Sequence, residues 1–233
     1  MFKRGRPTRR ARALGLLPGR RVTRRHPVLA ALGDADQAVL RFLRTRGHPE
    51  PVETVVKALG LAGEYGAVWA GIGAVGASVD RRRRSQYLAA GLTGPAAVGV
   101  NYLAKVSIGR QRPLIEDHPP LAKAPTKLSF PSAHATSSLA AATALGRVQP
   151  LARPYRFGLA AAICVGRPYL GMHYPSDVLA GAALGFCLGS LVPGLGGTPE
   201  EERLFELAVG ANEADAATRR AAGNGGAAAA PVS

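Results

Sequence analysis

The sequence predicts an all-α protein, a membrane-embedded antiparallel bundle of about five to six core helices. Three observations predict it. Apolar stretches rich in Ala and Gly follow one another from residue 62 to residue 196. The connections between them are short, as in "DRRRRS" (80–85) and "RVQPLARPYR" (147–156), so successive helices are antiparallel neighbours. Gly, Ala and Ser recur within the stretches, which suits close helix–helix contact in lipid.

Taken in order, residues 1–26 form a basic tail, expected to be disordered. Ten of the first 25 residues are Lys or Arg and none is acidic, which leaves the rest of the +15 chain at about +5. Such a block suits an anionic surface, above all lipid headgroups. It carries no interleaved aromatics and no recognisable module, which speaks against nucleic acid as the partner. No apolar run precedes "GDAD" (33–36), so no secretory signal is expected.

Residues 27–61 hold two predicted amphipathic helices, "DADQAVLRFLRTRG" and "PVETVVKALGL". In the second, Val52, Val55, Val56 and Leu59 repeat at helical spacing while Glu53 and Lys57 fall on other faces. Neither is apolar enough to cross a bilayer; they belong in the interface or on the body of the protein.

Residues 62–196 form the core. "LAGEYGAVWAGIGAVGASV" reads as one apolar stretch and "SQYLAAGLTGPAAVGVNYL" as the next. A polar, Pro-rich loop runs from Ser107 to Pro131. "ATSSLAAATALG", "FGLAAAICVG" running on toward Met172, and "DVLAGAALGFCLGSLVPGLG" complete the set. Several approach the ~20 residues that span a bilayer. Cys164 and Cys187 sit far apart in apolar stretches without ligand-spaced neighbours; both are expected as buried small hydrophobes rather than a disulfide or zinc site. Residues 197–233, an acidic "PEEERLFEL" followed by Ala and Gly, are expected to be a low-complexity, disordered tail.

The ionisable residues at the span ends gather into three groups. The first is "KVSIGRQRP", with Lys105, Arg112 and Pro113. The second is "FPSAHATSS", with Pro131, Ser132 and His134. The third is "RPYLGMHYPSD", with Arg167, His173 and Asp177. Antiparallel tracing puts all three at one end of the bundle. That set suits phosphoryl transfer, because a phosphate needs several cationic donors around its equatorial oxygens. Ser132 stands where a helix N-cap would, so its hydroxyl and the next N–H groups can meet an anion. His173 and Asp177, four residues apart, can pair as nucleophile and orienting carboxylate. His134 can protonate a leaving alcohol. His26, His48 and His118 belong to no group.

The order Lys-x6-Arg-Pro, Pro-Ser-x-His, Arg-x5-His-x3-Asp resembles the three-part signature of the type 2 phosphatidic acid phosphatase (PAP2) superfamily, which includes lipid phosphate phosphatases and vanadium haloperoxidases. The resemblance covers roughly residues 35–195. It implies metal-independent hydrolysis without a cofactor, through a phosphohistidine. His173 attacks phosphorus, Asp177 supports it and His134 protonates the leaving oxygen; Lys105, Arg112, Ser132, Arg167 and the backbone N–H of Ala133 hold the phosphate. Two positions depart from the family pattern: Ala133 stands where Gly is usual, and Gly166 where Ser is usual. Ala133 requires a helical backbone there, since a positive φ would penalise its Cβ.

The function expected is therefore an integral membrane phosphatase acting on a lipid phosphate or diphosphate, such as phosphatidic acid, phosphatidylglycerol phosphate or a polyprenyl phosphate. A vanadate-dependent haloperoxidase and a catalytically silent lipid-phosphate-binding protein remain as alternatives. Arginines 81–84 and 147–156 lie opposite the site, so the positive-inside rule puts the site on the extracytoplasmic face, with the plasma membrane as location.

Overall fold

A computed structural model describes residues 27–115 and 117–195, together with residues 203, 207, 210 and 211. Both expected tails, 1–26 and 197–233, lie outside the described residues apart from those last four positions. The order is α1 (Pro27–Thr45), α2 (Glu50–Ala62), a 3-10 turn (Glu64–Gly66), α3 (Ala67–Val79), a 3-10 turn (Arg81–Arg83) and α4 (Arg84–Ile108). After a long loop come α5 (Ala133–Val148), a 3-10 turn (Pro150–Ala152), α6 (Arg153–Tyr169) and α7 (Pro175–Ser190). The chain divides into two units within α1, Met1–Ala35 and Asp36–Ser233. Of the first, only the opening turns of α1 are described; everything below concerns the second.

The all-α antiparallel bundle read from the sequence is what the chain forms, with α5 at its centre. From Ala135 to Val148 only Leu139 and Arg147 are not fully buried. The helix is built of Ala, Ser and Thr, so its neighbours approach backbone to backbone. On α7 a Cβ at Gly181 would lie 2.5 Å from the Ser132 carbonyl oxygen, and at Gly185 and Gly189 it would collide with the Thr136 and Ala140 carbonyls. On the other side α4 meets α3, where a Cβ at Gly73 would lie 2.7 Å from the Gly91 Cα. Small polar side chains finish the joints: Trp69 Nε1 donates to Ser138 Oγ at 3.1 Å, and Asn101 Nδ2 to Thr136 Oγ1 at 2.9 Å. Each satisfies a donor that burial would otherwise leave unpaired.

Three expectations change. The stretch 61–79 is not one helix: α2 ends at Ala62, Tyr65 takes φ +52° and Gly66 φ +75° before α3 begins. A Cβ at Gly66 would lie 2.8 Å from Pro95 N, so the break is where the chain passes hard against α4. Cys187 is exposed, on the outer face of α7, while Cys164 is buried as expected. No single described helix is long and apolar enough to cross a membrane. α5 and α7 have 16 residues and α6 has 17, which at 1.5 Å per residue gives about 25 Å against a ~30 Å hydrocarbon core. α4 is longer, 25 residues, but carries Arg84, Gln86, Asn101 and Lys105. Glu50–Ala62 and Glu64–Val79, bent by 52° at their junction, are together long and apolar enough by length and composition.

The glycine contacts give a direct test. Gly185→Val should lower the thermal unfolding midpoint of the detergent-solubilised protein, by an overpacking cost of about 1–3 kcal/mol. Gly158→Ala, exposed on α6 with nothing within 4 Å of the added Cβ, should leave the midpoint unchanged or raise it. Equal effects would contradict the packing described.

Candidate active site

The three polar groups converge on one cavity of about 270 Å³. Lys105, Arg112, Ala133, His134, Arg167 and His173 line it. Lys105 sits in the last turn of α4, its ammonium donating to the carbonyls of Leu128 (3.3 Å) and Ser129 (3.5 Å). Gly109, at φ +69°, ends the helix. The loop then folds on itself: Ser129 N donates to Arg110 O at 2.8 Å, Arg112 N to Lys127 O at 3.1 Å, and Gln111 bridges Leu128. This return places Arg112, whose Nε donates to Thr126 O at 2.8 Å and Nη1 to Met172 O at 2.7 Å.

Ser132 is the N-cap of α5. It is fully buried, its Oγ accepting from Ala135 N at 3.5 Å, and it is not among the residues on the cavity wall. Ala133 is the first helical residue, so the departure from Gly carries no backbone strain and the helix N-terminus faces the cavity with its free N–H groups. His134 follows, Nε2 hydrogen-bonded to the Gly60 carbonyl at 2.9 Å. A carbonyl only accepts, so this nitrogen carries a proton.

Arg167, 5% exposed in the last turn of α6, leaves its Nε without a partner. Gly60 makes room for the guanidinium, since a Cβ there would lie 2.9 Å from Nη1. The second departure has a packing cause as well. A side chain at Gly166 would meet Val56 of α2 at 2.9 Å, so the position usually held by serine is given over to the close approach of α2.

His173 stands in the loop after Gly171 (φ +73°) and is 2% exposed. Its Nε2 is 3.1 Å from Arg112 Nη1. A guanidinium only donates, so Nε2 holds the lone pair and the ring proton is on Nδ1. Nδ1 faces Asp177 Oδ2 at 3.6 Å, within ion-pair range but beyond a hydrogen bond. Burial first, and then the charges of Arg112, Arg167 and Lys105, push the His173 imidazole down to about 3 against the pull of Asp177, so the ring is neutral at physiological pH. Asp177 lies behind it, fully buried in the first turn of α7, Oδ2 accepting from Tyr174 N at 2.9 Å.

Three contributors were not legible in the motifs. Arg110 donates to Asp177 Oδ1 at 2.8 Å, and Glu64 and Tyr65, at the break before α3, line the cavity. The described residues hold no group of three or more His, Cys, Asp or Glu placed to share a metal ion.

A family model described as the PAP2 superfamily matches residues 86–197. A decaprenylphosphoryl-5-phosphoribose phosphatase of Mycobacterium tuberculosis is 41% identical over 144 residues, covering 60% of this chain and 78% of that protein. One of the same description from Mycolicibacterium smegmatis is 37% identical over 133 residues, 56% of this chain and 71% of that one. Among solved structures, a transmembrane PAP2 type phosphatidylglycerolphosphate phosphatase from Bacillus subtilis superposes with a TM-score of 0.56 at 25% identity, over 70% of this chain and 85% of that chain. Aquifex aeolicus LpxE shares the fold, with a TM-score of 0.54 at 21% identity over 66% and 92% of the two chains. The signature, the fold that gathers it around one cavity and the similarity to these phosphatases agree: the chain belongs to the PAP2 superfamily.

Proposed function

We propose that this chain is an integral membrane phosphatase that removes the terminal phosphate monoester from a polyprenyl-linked phosphosugar, through a phosphohistidine on His173. The observation that carries the chemistry is the protonation pattern of the two histidines. His173 presents a lone pair to a cavity rimmed with cations, and His134, whose Nε2–H is held by the Gly60 carbonyl, keeps its other ring nitrogen to carry a further proton. His173 Nε2 attacks phosphorus and the bond from phosphorus to the sugar oxygen breaks. His134, its second ring nitrogen protonated by the proton that the phosphate monoester brings in, passes that proton to the sugar oxygen. Water, deprotonated by His134, then cleaves the N–P bond and releases inorganic phosphate. The Asp177 carboxylate faces the Nδ1–H and stabilises the cationic ring of the intermediate. Lys105, Arg112, Arg167 and the N–H of Ala133 hold the equatorial oxygens; Ser132 contributes by capping the helix that presents that N–H.

The polyprenyl phosphosugar class rests on the decaprenylphosphoryl-5-phosphoribose phosphatases to which the chain is similar. Membrane embedding is supported by exposed apolar side chains on the bundle's exterior, among them Val75 and Val79 on α3, Leu92 and Leu103 on α4 and Leu179 on α7. We place the basic N-terminal tail on anionic headgroups and the site on the extracytoplasmic face of the plasma membrane. The positive-inside rule supports that face through Arg81 to Arg84, Arg147, Arg153 and Arg156 at the opposite end.

Phosphate release from a panel containing phosphatidic acid, phosphatidylglycerol phosphate and a polyprenylphosphoryl phosphopentose should be greatest with the last. It should survive a chelator and be inhibited by vanadate; a strict need for added divalent metal would sink the mechanism. His173→Ala should lose about 10³-fold or more in kcat, as removal of a nucleophile does. Spectra of ring-15N-histidine protein should show His173 as the neutral Nδ1–H tautomer from about pH 5 to pH 8, because its depressed pKa keeps the proton off Nε2 until well below that window. An imidazolium signal at pH 5 would contradict this.

A further inference from the structure

Behind Asp177 lie two charged partners, Arg110 and Asp36, that the mechanism above does not use. Arg110, in the loop after α4, donates through Nη1 to Asp177 Oδ1 at 2.8 Å and to Ser176 Oγ at 2.7 Å. Its Nη2 donates to Asp36 Oδ2 of α1 at 2.8 Å. The guanidinium carbon lies 4.1 Å from the centroid of the Tyr174 ring, close enough for a cation–π contact. Asp36 also accepts from Ser176 N at 2.9 Å and from the Ser176 hydroxyl. Both carboxylates are buried, Asp36 at 7% and Asp177 at 0% exposure. Arg110 is not on the cavity wall, so it cannot touch a phosphate held there. Asp36 lies well before residue 86, where the family match begins.

An aspartate that orients a histidine has two soft degrees of freedom, rotation of its carboxylate plane and the choice of which oxygen faces the ring. Here both are removed. Arg110 occupies Oδ1, the Tyr174 N–H fixes Oδ2, and Oδ2 is left to face Nδ1. Arg110 would itself swing without a second anchor, and Asp36 supplies it from α1.

We infer that Arg110 and Asp36 are positioning residues for phosphoryl transfer: the Asp36–Arg110–Asp177 chain locks the carboxylate that sets the tautomer of His173, which makes α1 part of the active-site apparatus. The inference rests on the phosphatase reading for its kinetic arm alone. Its structural arm, the tautomer of His173, needs no substrate.

The experiment takes full-length protein carrying Arg110→Gln, Arg110→Lys or Asp36→Asn. It measures the unfolding midpoint, kcat and KM on the polyprenylphosphoryl phosphopentose, and the ring-15N spectrum of His173. Arg110→Gln should lower kcat by about 10- to 100-fold, the size usual for groups that orient a functional side chain. KM should stay within about 3-fold, and the His173 spectrum should turn from one tautomer to a mixture. Arg110→Lys should recover part of kcat, since it restores the charge without the planar fork. If Arg110→Gln does not fold, Asp36→Asn, which leaves Arg110 paired with Asp177, decides the matter. It should cost several-fold in kcat at unchanged KM and broaden the His173 signals. A folded Arg110→Gln or Asp36→Asn protein with wild-type kcat and a wild-type His173 spectrum would overturn the inference. Equal losses in kcat and midpoint that Arg110→Lys does not relieve, with the His173 tautomer intact, would overturn it in favour of a purely structural link. If the wild type turns over no lipid phosphate, the functional reading fails while the spectra still decide the network.

Discussion

Everything at the site depends on how closely α7 can lie against α5. Glycine at 181, 185 and 189, four residues apart, turns one face of α7 into bare backbone, and that face rests on the Ser132, Thr136 and Ala140 carbonyls. The consequence at the site end is a direct hydrogen bond from Ser132 N to Asp177 O at 2.9 Å. Two stretches more than forty residues apart thereby share a backbone joint, and the joint sets where His134 and His173 stand relative to one another. Larger side chains at those positions would separate the helices. They would move proton donor and nucleophile apart long before the bundle itself failed, since catalysis responds to displacements on the order of 1 Å.

The electrostatic plan divides cations into two kinds. Lys105 and Arg112 are tethered to main-chain carbonyls, and among the described residues neither they nor Arg167 makes an ion pair. Carbonyl dipoles orient these groups without cancelling their charge, so the cavity keeps an appetite for a dianion. Arg110 is treated oppositely. It is matched by two carboxylates, and although burial alone would raise the Asp36 carboxyl, hydrogen bonds from Arg110 and Ser176 hold it below the ordinary range. A neutralised cation is a poor ligand for phosphate and a good girder. The arginines at the far end of the bundle serve helix termini: Arg147 donates to the carbonyls of Gly189, Ser190 and Val192, and Arg83 to Val148 O at 2.8 Å.

The bundle and its three polar groups were legible because each rests on local pattern. Apolar runs of helical length mark α4 to α7, and Lys105 to Arg112, Ser132 to His134 and Arg167 to Asp177 are short-range spacings. What escaped depends on partners distant in the chain. Asp36 reads as one more acid on an amphipathic helix, and its partners, Arg110 and Ser176, lie far along the chain. Arg110 reads as a filler between Lys105 and Arg112. The break at Tyr65 and Gly66 is hidden because apolar composition continues across it, and only the approach to Pro95 shows why the chain must bend. Cys187 sits in an apolar run like Cys164, but a run does not say which face of α7 turns outward.

The contact between Val56 and Gly166 reaches beyond packing. A side chain at 166 and the branched side chain at 56 compete for one volume, so each position constrains the other. Placing serine on the arginine-bearing helix would require Val56 to turn or shrink, or α2 to shift. Because α2 also carries Gly60, whose carbonyl holds His134, that shift would be felt by the proton donor. The choice of residue at 166 is therefore tied to α2, a helix outside the matched residues.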